Sequence, residues 1–303
     1  MLTNKLISIF LMKKILPYTL LLLVSYNCIA QKELAISNLK FDTDYYNAID
    51  KWVALPKKTT DSIYSFGFVY LDLNAGFTYN HESDFWINKN GDFVPLKKEF
   101  VGLMKQRLES QKTAKMCVLS EQIVQKLGMP IEPVWLKTYK TSNSEVETLT
   151  KTGFYLNEVG GSAKALDYLM KAYSLEPNYK GLEFEIGFAY NATQQYDKTI
   201  EILSKAVGND PKNALLYKEL GFAYLNTFKL LETEITYKKA IENSTDNLLN
   251  CEISINMVNF YFLQKMKFNF DQWAAITRKY ALPNSQYANY IDYFEKEWES
   301  KRK

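Results

Sequence analysis

The chain has 303 residues, enough for two domains and a sizeable core, and 47% of them are hydrophobic, with 22 Tyr and 18 Phe. That composition excludes an intrinsically disordered chain. The formal charge of +3 stems from the first thirty residues, which hold Lys5, Lys13 and Lys14 and no acid; the remainder carries 34 residues of each sign and no electrostatic footprint for nucleic acid or an anionic membrane.

Those thirty residues read as a leader. Met12-Lys13-Lys14 is followed by an apolar run, Ile15 to Val24, and by Ser25-Tyr26-Asn27-Cys28-Ile29-Ala30 before Gln31. A basic start, a short apolar stretch and a small residue before the cut describe a secretory signal peptide, with cleavage expected between Ala30 and Gln31. The protein is then exported, periplasmic or secreted, with no membrane insertion once the leader is gone. Residues 12–30 form a complete leader by themselves, so Met12 is an alternative start to Met1. Lipidation of Cys28 is an alternative, although Ser25-Tyr26-Asn27 lacks the aliphatic-plus-small pattern that precedes a lipidated cysteine. An uncleaved anchor is another, but the run falls short of the ~20 residues that span a bilayer. Only Cys117 and Cys251 remain in the mature chain; two cysteines do not make a disulfide scaffold, and two buried free thiols are expected.

Residues 31–144 read as an α+β domain. Asp44 is placed to cap a helix running to about Leu55, with Tyr45, Ala48, Ile49 and Trp52 on one face and Pro56 ending it. The period then changes to alternation. Tyr64, Phe66, Phe68 and Tyr70 fall on one side and Ile63, Val69 and Leu71 on the other, as in a strand covered on both faces. Asn74-Ala75-Gly76 turns into a second strand, Phe77 to Asn80. Asp84 to Asn88 reads as a third, and Asn90-Gly91 as a hairpin leading to Asp92–Leu96. Lys97 to Glu109 is helical by the spacing of Phe100, Leu103, Met104 and Leu108. A second helix runs from Thr113 to Leu127 and stops at Gly128. Met129 to Ser144, with Pro130, Pro133 and a polar Thr141-Ser142-Asn143-Ser144 run, is a connector.

The one histidine, His81, stands beside Glu82 and Asp84 at an expected turn between strands. A general base among carboxylates is one reading; a wet loop tip is the other. A single His excludes zinc sites of the two- or three-His kind. There is no Cys-x-x-Cys pair, no Gly-x-Gly-x-x-Gly, no phosphate-cradling Gly-Lys-Ser/Thr loop and no Gly-x-Ser-x-Gly elbow. Together these absences argue against an enzyme, and no cofactor or metal is expected.

From Glu145 the chain repeats. Gly187-Phe188-Ala189-Tyr190 recurs as Gly221-Phe222-Ala223-Tyr224, 34 residues on, and Gly153-Phe154-Tyr155-Leu156 stands 34 residues before. The units are 146–179, 180–213 and 214–247. Alanines follow each glycine by nineteen residues (Ala172, Ala206, Ala240), and short residues follow it by twelve (Ala165, Thr199, Thr233). Pro177 and Pro211 close the first two units. The glycine and the two small positions are where antiparallel helices approach closely, with the Tyr or Leu three past the glycine filling the gap beside them. Residues 248–282 form a degenerate fourth unit of two aromatic helices. After Pro283, Tyr287, Tyr290, Ile291, Phe294 and Trp298 mark one face of a capping helix over 283–303.

This spacing resembles the tetratricopeptide repeat family over residues 146–247, with the array as a whole covering 145–282. The resemblance implies an all-α solenoid in which the first helices of successive units line a concave groove for a protein or peptide. By it, the residue after each glycine faces the groove, as Phe154, Phe188 and Phe222. Asn157, Asn191 and Leu225 flank that stripe, with Lys218 and Asn226 nearby. The family's Lys/Asn clamp on a C-terminal carboxylate needs Asn where these phenylalanines stand and Lys four residues earlier. Only Lys218 fits, so that clamp is expected to be absent. The stripe either faces a partner or packs inside the protein. The expected function is an exported, non-enzymatic adaptor for a protein or peptide. The alternatives are an N-terminal small-ligand sensor or hydrolase presented by the array, and a structural component of the cell envelope.

Overall fold

The computed structural model describes residues 39–97, 104–109, 115–142 and 144–300, with backbone alone for 299 and 300. The leader, Phe100, Leu103 and Asn143 lie outside the described residues. The chain divides into two compact units, Met1–Thr141 and Ser142–Lys303.

The first unit is an antiparallel sheet of half-barrel form. The alternating stretch builds its longest ladder. β2 (Ile63–Asp72) pairs with β3 (Gly76–Ile87) from Asp72↔Gly76 to Ile63↔Trp86. The chain reverses at Asn74-Ala75-Gly76, with Gly76 at φ 87°. The strands expected at 77–80 and 84–88 are one strand, continuous through a bulge opposite Phe66 and Gly67. β4 (Phe93–Pro95) returns along β3 through the Asn90-Gly91 hairpin, where Asn88 Oδ1 accepts from the N–H groups of Asn90 and Asp92.

Three helical expectations are corrected here. No helix runs from Asp44 to Leu55: Tyr45–Asn47 is a single 3-10 turn, Asp50 takes φ 58°, and β1 (Lys51–Ala54) pairs with β2. The apolar spacing fits a helix, but Trp52 gains more from Phe66 and Phe68 on the neighbouring strand, at ring distances of 6.0 and 5.1 Å. Long-range pairing overrides the local period. Met104–Arg107, expected to be helical, is β5, paired with Thr78–His81 on the edge of β3. The helix expected from Thr113 shrinks to α1 (Glu121–Lys126), capped by Ser120, while Cys117–Val118 is β6 on the far side of β1. The sheet order is therefore β4-β3-β2-β1-β6, with β5 also on β3. One face buries Trp52, Phe66, Phe68, Tyr70 and Phe85 against Val124 of α1, Leu127 just after it and Leu136 of a 3-10 segment. Trp52 Nε1 donates to the Pro130 carbonyl at 2.8 Å and holds that connector on the sheet.

The second unit is a solenoid of helix pairs: α2 (Glu145–Glu158) with α3 (Ser162–Leu175), α4 (Leu182–Ala192) with α5 (Tyr196–Asn209), and α6 (Ala214–Asn226) with α7 (Leu230–Glu242). The fourth pair is α8 (Asn247–Leu263) and α9 (Lys267–Tyr280), and α10 (Gln286–Ser300) closes the end. The glycines explain the close pairing. A Cβ at Gly153, Gly187 or Gly221 would lie 2.2, 2.6 or 2.4 Å from Leu169, Leu203 or Tyr237 of the facing helix. Those side chains fill the space beside each glycine. Three past the glycine, Leu156 is fully buried and Tyr190 and Tyr224 are half-buried. The four pairs share one closure. A residue at positive φ (Gly160, Gln194, Phe228, Lys265) is followed by an N–H that bonds back five residues, as in Gly161→Leu156 and Met266→Tyr261.

The C-terminal core is aromatic, with Tyr237, Tyr261, Phe270 and Trp273 buried together beside Ile291 of α10. Phe294 lies tilted and Trp298 edge-on against Phe262, at ring distances of 4.6 and 5.4 Å, and Arg278 on α9 ties down Asp292 and Glu295 at 2.7 and 2.6 Å. Tyr290, expected on the inward face, is 49% exposed.

Candidate functional site

The first helices of neighbouring units pack on one another, α2 on α4 and α4 on α6. A polar ladder joins them. Asn157 Nδ2 on α2 donates to the backbone carbonyl of Glu185 on α4 at 3.0 Å and to its Oε2 at 2.8 Å. One unit on, Asn191 Nδ2 donates to the carbonyl and Oε2 of Glu219 on α6 at 2.9 and 2.8 Å. All four residues are buried. At the next joint the pair becomes Leu225 and Ile253, both in one apolar cluster.

Burial governs the ionisation of this ladder. Desolvation pushes the Glu185 carboxyl up to about 7; the Asn157 hydrogen bond opposes it, and the charges of Glu158 and Glu219 add to it. Burial also raises Glu219, with Lys218 and Asn191 pulling the other way. For Lys218, burial lowers the ammonium's affinity for its proton, but Glu252 and Glu219 outweigh it and the pKa rises. Lys218 Nζ lies 2.7 Å from Glu252 Oε1 on α8 and 3.5 Å from Glu219 Oε1.

A cavity of about 440 Å³ opens between α4, α6 and α8. Four of the eight residues singled out from the sequence line it: Phe188, Asn191, Lys218 and Phe222. The other four do not. Asn157 is buried in the ladder, Leu225 lies in the core, and Asn226 Nδ2 bonds back to the Phe222 carbonyl of its own helix at 2.8 Å. Phe154 is 38% exposed, its ring against Tyr155 at 5.0 Å. Both cavity phenylalanines are half-buried, each touching a neighbour: Phe184 for Phe188, Tyr196 for Phe222. Glu219, Glu252 and Asn256 also line the cavity and escaped the sequence reading. For Glu219 a signal existed, since Glu185 and Glu219 recur two residues before their glycines, 34 apart.

In the first unit, His81 sits inside β3, opposite Gly67 and Met104, and not at the turn expected from the sequence. Asp84 Oδ1 accepts from Ser65 Oγ at 2.7 Å, a cross-strand bond of the sheet. Cys117 and Cys251 are both buried and unbridged, and burial raises both thiols. Among the described residues no group of three His, Cys, Asp or Glu is placed to hold a metal, and no helix is long and apolar enough to cross a membrane.

No protein-family model matches the chain, and no curated protein is significantly similar to it. Solved structures overlap it in part. A MamA structure (41-end) from Desulfovibrio magneticus is 19% identical over 55% of this chain and 88% of its own, with a TM-score of 0.39. The Pseudomonas aeruginosa PilF structure is 11% identical over 52% and 70%, with a TM-score of 0.42. A putative protein-binding protein from Bacteroides ovatus is 16% identical over 50% and 98%, with a TM-score of 0.30. Likenesses this distant carry no weight on function, and the solenoid assignment rests on the helix pairs themselves.

Proposed function

We propose that the chain is an exported, non-enzymatic adaptor whose solenoid docks an extended segment of a protein partner along its first helices. One observation carries the reading: Phe188 and Phe222 sit half-buried on a single cavity of about 440 Å³, on the face where the first helices meet. Apolar rings left at a concave surface and flanked by polar groups are what a peptide's side chains bury against. The test compares wild type with a Phe188→Ala/Phe222→Ala variant in crosslinking pull-downs. Partners recovered with wild type are expected to drop out with the variant while its circular dichroism is unchanged; an unchanged partner set refutes the groove. Export is tested separately, by mass spectrometry of the protein from an envelope fraction. A mature N-terminus at Gln31 is the expected result, and an intact leader on all molecules rejects it.

A further inference from the structure

The charges around the cavity are arranged against the ligand that a carboxylate clamp would take. Lys218 is the one cation among its lining residues, and two carboxylates hold it. Glu219 is engaged on its other oxygen as well, by Asn191 at 2.8 Å. The lining thus sets two acidic side chains against one basic one. Exposure is graded in the same sense, with the Lys218 side chain 17% exposed and that of Glu252 46%. Solvent meets the carboxylate more than the ammonium.

An incoming carboxylate must pull Lys218 from two partners and then face both of them unpaired. An incoming cation meets the opposite situation. A carboxylate offers about four lone-pair sites, and one lysine contact leaves Glu252 with room to accept more. Phe188 and Phe222 line the same space. Aromatic faces attract cations, and a guanidinium stacks on them while bonding to a carboxylate through its fork.

The geometry points to a partner segment that sets an arginine or lysine side chain against Glu252, with apolar residues on either side to meet Phe188 and Phe222. This specificity rests on the groove reading above. The test uses the full mature chain and three pools of acetylated, amidated heptapeptides. Their central residue is Arg, Gln or Glu, and their flanking positions are randomised over apolar residues. Fluorescence anisotropy is expected to give the Arg pool roughly tenfold tighter binding than the Gln pool, a difference of about 1.4 kcal/mol. Glu252→Gln should bring the two within about threefold without moving the Gln pool, as expected when one charge pair is removed. Raising salt should weaken the Arg pool alone, which tests the same claim on the wild-type chain. If all pools bind equally and Phe188→Ala/Phe222→Ala abolishes them, the groove stands and the preference for a basic side chain is wrong. If the Glu pool binds tightest, the polarity is reversed and the proposal falls. If no pool binds, or binding survives the double variant, the groove reading itself fails and takes this proposal with it.

Discussion

Glu185 offers a measurement of the inter-unit ladder that depends on sign as well as size. Its carboxyl is raised from 4.5 to about 7, chiefly by burial. A carboxyl with a raised folded-state pKa binds its proton more tightly when folded. Its contribution to stability is therefore fully present below pH 4.5 and lost as pH rises through 7. At about 1.36 kcal/mol per pH unit, the loss across that window is on the order of 3 kcal/mol. Glu185 is 9% exposed, so solvent screening takes little from this figure. Glu219 shifts in the same direction, while Glu234 is lowered, through Tyr261 and Lys238 acting against its burial, and so contributes with the opposite sign. The clean quantity is thus the difference between wild type and Glu185→Gln. Glutamine keeps an oxygen for Asn157 Nδ2 and has no charge to desolvate. Urea melts followed by far-ultraviolet dichroism should show the variant about equal to wild type at pH 5 and roughly 2–3 kcal/mol more stable at pH 8. A variant that is less stable at both pH values, by the same amount, would refute the reasoning, because the carboxylate would then be a net stabiliser when ionised.

Three further outcomes follow from other contacts. Gly221→Ala should cost more than Gly187→Ala, on the order of 3 against 2 kcal/mol by thermal denaturation, because the new Cβ meets the rigid Tyr237 ring at 2.4 Å, where at Gly187 it meets the equally buried but smaller Leu203 side chain at 2.6 Å. Phe228 takes φ 58° where the first unit has Gly160, and it is 70% exposed. Phe228→Gly should therefore stabilise by about 1 kcal/mol in equilibrium unfolding, and a loss of that size would show that its contact with Phe260 matters more than the backbone strain. Asn157→Leu alone should cost about 2 kcal/mol by leaving a buried carboxylate without its donor, whereas Asn157→Leu/Glu185→Ile should fall within about 1 kcal/mol of wild type. Additive losses in that double-mutant cycle would mean that the two side chains do not act as a pair.

Legibility differed between the two units for a physical reason. In the solenoid each contact repeats at one sequence interval, so Gly187 and Gly221, Ala206 and Ala240, and the prolines beyond α3 and α5 reinforce one another. In the first unit the decisive contacts are unique and distant. Trp52 reads as helical beside Tyr45 and Ala48 until Phe66 and Phe68 are placed next to it, and Met104 lies on a strand only because the edge of β3 accepts it. Periodicity carries no information about such pairings. The candidate site was legible in its aromatic half, because Phe188 and Phe222 belong to the repeat. Glu252 is absent from it because its partner, Lys218, lies 34 residues back with the opposite sign: a repeat reveals what stays the same, and ion pairs between units depend on what changes.

The same distinction accounts for where the period fades. Up to α6, a glycine under a facing side chain closes each helix pair, and successive units are held in register by an amide that bonds both the backbone and the carboxylate of the next first helix. Hydrogen bonds are directional, so an inserted residue at such a joint would break both of its bonds and strand a buried carboxylate. At the following joint Leu225 and Ile253 replace the amide and the acid, and Ile255 stands 34 residues after Gly221. Apolar burial is non-directional and accepts any register that removes area from water. α8 is longer, at 17 residues, and its closing turn falls at Lys265, 37 residues after Phe228. The joint itself keeps the interval, with Leu225 and Ile253 28 residues apart like Asn157 and Glu185 and with the Lys218–Glu252 pair 34 apart, so the extra length of the fourth unit enters α8 beyond the joint.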